Sequence, residues 1–123
     1  MHRFLLLATA AVALGACASG GAHNAKPGEA FTLMPGEAVQ LPDASTLRYV
    51  RVAQDSRCRP TVQCIRAGDA DVAFEFTSPG GGPLPVNVNL PESPRATMGA
   101  WRLQLLALAF DEPAQATVRV DAQ

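Results

Sequence analysis

From Phe31 onward the chain reads as short runs in which apolar and polar residues alternate, cut at regular intervals by Pro and Gly. Alternation places successive side chains on opposite faces of a strand, so each run predicts a half-buried β-strand. No window of helical length keeps a helical period without interruption. The predicted strands are Ala30–Met34, Glu37–Leu41, Thr46–Val52, Asp71–Thr77, Leu84–Leu90, Trp101–Ala109 and Ala116–Asp121. About seven strands of this length fit one immunoglobulin-like antiparallel β-sandwich, an all-β fold. The pattern is clearest in Val72-Phe74-Phe76 against Ala73-Glu75, in Val86-Val88-Leu90 against Asn87-Asn89, and in Val118-Val120 around Arg119. The apolar members of each set are expected to face the core.

The run from Trp101 is less regular. Trp101-Leu103-Leu105 alternates with Arg102-Gln104, and the chain then turns apolar on both faces through Leu106, Leu108 and Phe110. That predicts a central strand or one covered by a loop, with a short helix as the alternative because Ala and Leu favour helices. Trp101 is assigned to the core, where a small sandwich needs a large residue, rather than to a binding platform. Ser78-Pro79-Gly80-Gly81-Gly82-Pro83 predicts a flexible hairpin connection, and Pro91 to Pro94 ends the strand before it by removing backbone donors. A phosphate cradle at these glycines would need a following helix with a Lys-Ser or Lys-Thr pair, which this stretch lacks.

The N-terminal segment has a different character. Arg3 precedes an apolar run from Phe4 to Leu14 that closes on Leu14-Gly15-Ala16-Cys17. A basic start, a short apolar middle and small residues at the end make a secretory signal, too short and wrongly flanked for a membrane-spanning helix. The stretch resembles the lipobox of bacterial lipoproteins. That resemblance implies removal of residues 1–16, diacylation of the Cys17 sulfur and acylation of the new amino group. An ordinary secreted protein cut after Ala16 or a few residues later is the alternative. Three acyl chains, at about 0.8 kcal/mol per buried methylene, would anchor the chain firmly. Ala18, rather than Asp, follows the cysteine. By analogy with lipoproteins of Gram-negative cells this implies a place in the cell envelope at the outer membrane, with the membrane itself as a partner through the lipid anchor. Residues 17–29 then read as the lipidated cysteine and a flexible tether, small and polar with Gly20-Gly21 and Lys26-Pro27-Gly28. Its reach is about 20 Å. Residues 30–123 form the expected domain.

Charge narrows the partners. Ten Lys and Arg face eleven Asp and Glu, a formal net charge of −1 that becomes one unit more negative once Arg3 leaves with the signal. The arginines are scattered singly, so neither a nucleic-acid footprint nor an acidic tail is present.

One stretch of the folded part concentrates chemistry: Asp55-Ser56-Arg57-Cys58-Arg59-Pro60-Thr61-Val62-Gln63-Cys64-Ile65-Arg66-Ala67-Gly68-Asp69-Ala70. With Cys17 assigned to lipid, Cys58 and Cys64 remain as a pair, and export to an oxidising compartment predicts a disulfide between them. So short a ring contributes about 2 to 3 kcal/mol by chain entropy. A redox dithiol would have two residues between its cysteines, and five intervene here. A zinc site would need two further soft ligands. A structural staple, or a staple that is also a recognition loop with a basic surface from Arg57, Arg59 and Arg66, are the readings left open. Asp55 and Arg57 have a simpler use as well: an Asp before a tight turn bonds its own backbone, and an Arg beside a disulfide braces loop carbonyls or pairs with a nearby carboxylate.

Asp55-Ser56-Arg57-Cys58, the second cysteine, and Ala67-Gly68-Asp69-Ala70 before an alternating strand are similar to a group of small, uncharacterised bacterial lipoprotein domains. Their shared pattern runs Asp-Ser-Arg-Cys-Pro, a few residues, Cys, a hydrophobic residue, Trp-Ala-Gly. Phe31-Thr32-Leu33 with Gly36-Glu37 fits the same pattern, so the resemblance spans most of the mature chain. It implies a fold and brings no activity. Two departures mark this chain: Arg59 stands between Cys58 and Pro60, and Arg66 replaces the tryptophan.

Enzyme readings must find a general base. The histidines are His2, in the signal, and His23, in the tether, which excludes Ser-His-Asp and Cys-His arrangements in the domain. Asp69 and Asp71 share a face if they lie on one strand, with Glu75 further along. Together with Asp55, Asp69 and Asp71 are weak Ca²⁺ candidates without the Asp-x-Asp-x-Asp-Gly order of a specific calcium loop. No cofactor and no other metal is expected. The sequence therefore predicts a lipid-anchored envelope lipoprotein that is not an enzyme, a binding or structural module with an envelope protein as its further candidate partner. The alternatives are a secreted inhibitor presenting the Cys58–Cys64 loop to an envelope hydrolase, although Arg59-Pro60 weakens a substrate-like version, and a calcium-dependent binding module.

Overall fold

The alternating runs assemble into two sheets that share one core. The computed structural model describes residues 23–123. Its strands are β1 (His23–Asn24), β2 (Ala30–Leu33), β3 (Ala38–Gln40), β4 (Thr46–Asp55), β5 (Ala70–Thr77), β6 (Pro83–Leu90), β7 (Arg95–Met98), β8 (Trp101–Leu108) and β9 (Ala116–Ala122), and no helix occurs among the described residues. One sheet has the order β1-β3-β4-β5-β6 and the other β2-β9-β8-β7. Every pairing is antiparallel except that of β1 with β3. The layers are those the sequence predicts, an all-β sandwich. Within them β3 to β6 and β7 to β9 run as meanders, where immunoglobulin domains use Greek-key connections.

Nine strands form where about seven were expected, and the two additions are short. β1 has too few residues to show a period, and β7, Arg-Ala-Thr-Met, follows the proline-rich stretch directly. Because β1 pairs with β3 and Ala25 is buried, the folded part includes His23 to Ala25, ahead of the predicted start at residue 30. β4 continues past Val52 to Asp55, and its register with β5 shifts between Tyr49 and Arg51 and again between Val52 and Gln54. A bulge adds an unpaired residue and turns the following side chains over, so the alternation stops being readable where the strand does not stop. The same device settles the ambiguous run in β8. A register shift between Leu105 and Ala107 leaves Leu103, Leu105 and Leu108 buried and Leu106 exposed, as a strand rather than a helix.

The core lies between Leu47, Tyr49, Val72, Phe74, Phe76, Val86 and Val88 of the first sheet and Leu33, Met98, Leu103, Leu105, Val118 and Val120 of the second. Leu47 pairs with Phe76 and Tyr49 with Phe74, whose rings lie 5.4 Å apart. The buried Tyr49 hydroxyl donates to the Ala114 carbonyl at 2.9 Å, so one bond joins the first sheet to the β8–β9 loop of the second. Trp101 is buried at the rim, and its Nε1 donates to Asp43 Oδ2 at 3.0 Å, which satisfies the polar tip of an apolar body.

Pairing of Asp55 with Ala70 and of Ala70 with Leu90 brings the β4–β5 and β6–β7 loops to one end of the sandwich. Thr46, Thr77 and Pro83 gather the β3–β4 and β5–β6 loops at the other. Phe74 sits at the centre with 1 % exposure. Phe74→Ala is therefore expected to cost about 3 to 5 kcal/mol in a denaturant melt. Leu106→Ala, at a residue 41 % exposed, is expected to change stability by no more than about 0.5 kcal/mol.

Candidate functional site

The stretch singled out by its sequence is the β4–β5 loop, and it is built in two tiers. At the base the β4–β5 ladder is prolonged: the Ser56 amide donates to the Asp69 carbonyl at 2.7 Å and the Cys58 amide to the Ala67 carbonyl at 2.9 Å. Close approach of the two chains requires glycine at 68. Gly68 has φ 67°, and a Cβ there would lie 1.8 Å from the Ser56 carbonyl oxygen. At the tip Cys58 and Cys64 form the predicted disulfide, with Cα atoms 5.9 Å apart, and the Val62 amide turns back onto the Arg59 carbonyl at 3.0 Å.

Asp69 organises one side of the base. The Ser56 hydroxyl donates to its Oδ1 at 3.1 Å and accepts from its amide at 3.1 Å, Gln54 Nε2 donates to Oδ1 at 3.0 Å, and Asn89 Nδ2 donates to Oδ2 at 2.7 Å. The same Asn89 amide donates to Asp71 Oδ1 at 2.7 Å. Its two N–H bonds thus serve the two carboxylates, which lets like charges sit close together at the start of β5. Hydrogen bonds from Asn89, then Gln54 and Ser56, hold the Asp69 carboxyl below the usual carboxylate range.

Arg57 organises the other side. Nε and Nη2 donate to Asp55 Oδ1 and Oδ2 at 2.9 and 2.7 Å, a bidentate fork. Nη1 donates to the Leu108 carbonyl at 2.6 Å and Nη2 to the Ala109 carbonyl at 3.2 Å. The guanidinium also lies 4.1 Å from the centre of the Phe110 ring. The side chain is only 13 % exposed. One residue therefore fastens the loop, which belongs to the first sheet, to the end of β8 in the second. The Arg57 hydrogen bond is the main cause that lowers the Asp55 pKa, and partial burial opposes it.

The three arginines do not share one surface, as the recognition reading had it. Arg57 turns inward, whereas Arg59 and Arg66 are exposed at the tip, Arg59 with its guanidinium 5.9 Å from the Phe110 ring centre. Between them stand side chains that the sequence reading passed over: Ile65, fully exposed, and Val62, 53 % exposed. Their positions between cysteines and arginines carry no alternation, and only the spacing of the ring could have pointed to them. Phe110 and Asn89, which act on the loop from other parts of the chain, and Gln54, at the end of β4, were likewise missed.

Asp55, Asp69 and Asp71 are engaged by other side chains rather than gathered as a set of metal ligands. Asp55 is taken by Arg57, Asp69 and Asp71 are bridged by Asn89, and among the described residues no three His, Cys, Asp or Glu are grouped to hold a metal ion. His23, expected in the tether, lies exposed on β1. Cys17 and the signal lie outside the described residues. Comparison with family models, curated proteins and solved structures finds no match to this chain.

Two outcomes follow from this geometry. Gly68→Ala is expected to destabilise the domain by more than about 1 kcal/mol, because it combines a left-handed φ with a backbone collision. Gly80→Ala, at φ 75° with nothing within 4 Å of the added Cβ, is expected to cost less. The second outcome concerns pH. Asp55 and Asp69 have folded-state pKa values below their unfolded ones, so their contribution is complete above the unfolded range and lost as pH falls through the lowered values. The melting temperature should hold above about pH 5 and drop below it. Asp55→Asn and Asp69→Asn should each lower the neutral-pH melting temperature and flatten that drop; acid profiles parallel to wild type would contradict the assignment.

Proposed function

We propose that this chain is a lipid-anchored lipoprotein of the bacterial cell envelope, held at the outer membrane through Cys17, and that its folded part is a non-catalytic binding or structural module. The observation that carries the reading is the apolar run Phe4–Leu14 ending in Leu14-Gly15-Ala16-Cys17. The Cys58–Cys64 disulfide supports it, since such bonds persist in oxidising compartments outside the cytosol. The resemblance of Asp55-Ser56-Arg57-Cys58 and Ala67-Gly68-Asp69 to small bacterial lipoprotein domains supports it as well. Those residues now have a structural account: Asp55 and Arg57 make the clamp, Ser56 and Asp69 interlock, and Gly68 allows the close approach.

A binding role draws on the loop tip, where a firmly held base presents exposed Ile65, Val62, Arg59 and Arg66. The same exposure favours the second reading, an inhibitor that offers this loop to an envelope hydrolase.

Metabolic labelling with a palmitate analogue tests the anchor. Wild type should be labelled and sediment with membranes, while Cys17→Ser should be unlabelled and either released or left with its signal uncut. Equal labelling of the two forms would overturn the reading.

A further inference from the structure

Ile65 is the most exposed large apolar side chain among the described residues, at 104 % of its reference area. It is flanked by Arg59 and Arg66 on a loop that has no carboxylate between Ser56 and Gly68. The neighbouring β8–β9 loop carries Asp111 and Glu112, and Asp55 and Asp69 at the base are already engaged. An isoleucine held out in water by a braced, stapled loop keeps its whole apolar area available for burial against a partner.

Strand direction indicates what lies opposite. β1 runs parallel to β3, and β3 runs antiparallel to β4, so the chain enters the sheet at His23 heading away from the β4–β5 loop. His23 pairs with Val39, which pairs with Leu47, and β4 continues from Leu47 to Asp55. His23 thus lies level with Leu47, toward the end opposite the disulfide loop, with β1 running away from that loop. From His23 back to Cys17 an extended chain covers at most about 20 Å, and the stretch of β4 from Leu47 to Asp55 covers about 26 Å. A lipid on Cys17 would hold the β1 edge close to the bilayer, and a sandwich leaning along that edge brings the loop tip to the same plane.

We infer that the tip of the β4–β5 loop is a second membrane contact, in which Arg59 and Arg66 sit among anionic phospholipid headgroups and Ile65, with Val62, enters the interface. The inference rests on the lipid anchor for its orientation. The contact chemistry belongs to the loop alone. Basic residues near an anionic surface each strengthen partitioning by about fivefold, and a charge in place of the isoleucine removes the apolar contribution altogether. Arg57 takes no part, because it faces the β8 carbonyls.

Two measurements test this separately from the anchor. Full-length lipidated protein carrying Ile65→Trp together with Trp101→Phe is reconstituted into phosphatidylethanolamine–phosphatidylglycerol vesicles containing bromolipid. Blue-shifted, quenched emission from position 65 is expected; water-like, unquenched emission overturns the inference while leaving the anchor intact. The mature Cys17→Ser chain is then titrated with the same vesicles without bromolipid and with phosphatidylcholine vesicles. It should prefer the anionic ones, and Arg59→Gln with Arg66→Gln should weaken binding about 25-fold. Ile65→Asp should weaken it at least tenfold. This result would stand even if palmitate labelling failed. Crosslinks to one envelope protein that vanish in Ile65→Asp while vesicle binding is unchanged would make the loop a protein-docking element and overturn the lipid assignment.

Discussion

The guanidinium of Arg57 is the constraint on which this end of the molecule depends. It fills the gap between the two sheets, with Asp55 on one side and the carbonyls of Leu108 and Ala109 on the other. An arginine suits this place because its fork is planar, permanently charged and able to reach a carboxylate and two carbonyls together. With Arg57 13 % and Asp55 30 % exposed, the pair is screened less than a fully solvated ion pair, and removing the arginine would leave Asp55 with no counter-charge and two carbonyls without their donor. Tyr49 makes a second link, from the first sheet to Ala114 on the same β8–β9 loop. These contacts close one end of the sandwich, and the hydrophobic layers hold the rest.

Division of labour within the loop follows from that clamp. The prolonged ladder, the Ser56–Asp69 interlock and Gly68 hold the base, while the disulfide restrains only the tip. A tip held in this way has already lost much of the conformational freedom that a contact with a partner would otherwise remove. The exposed Ile65 is thus presented rather than left loose, which ties the physical account of the base to a binding role for the tip.

How much of this was legible in the sequence depended on whether a signal was local. Strands with unbroken alternation, such as Val72-Phe74-Phe76 and Val118-Val120, point inward as read, and Trp101 lies in the core. Legibility ended at the bulges of β4 and β8, where an inserted residue reverses the pattern without ending the strand. The disulfide followed from an even cysteine pair and the expectation of export to an oxidising compartment. The partners of Arg57 at the end of β8 did not, because Leu108 and Ala109 contribute carbonyls that every residue carries and sequence cannot single out. Nor could sequence single out Asn89, which bridges Asp69 and Asp71 from β6.

The claim that Arg57 holds the loop base to both sheets is tested most directly by amide hydrogen exchange in Arg57→Lys, which keeps the charge and loses the fork. The account predicts that the amides of Ser56 and Cys58, which donate to Asp69 and Ala67, lose protection while that of Phe74 in the central β5 strand keeps it. Unchanged protection at Ser56 and Cys58 would contradict it and show that the ladder and Asp69 hold the loop without the clamp.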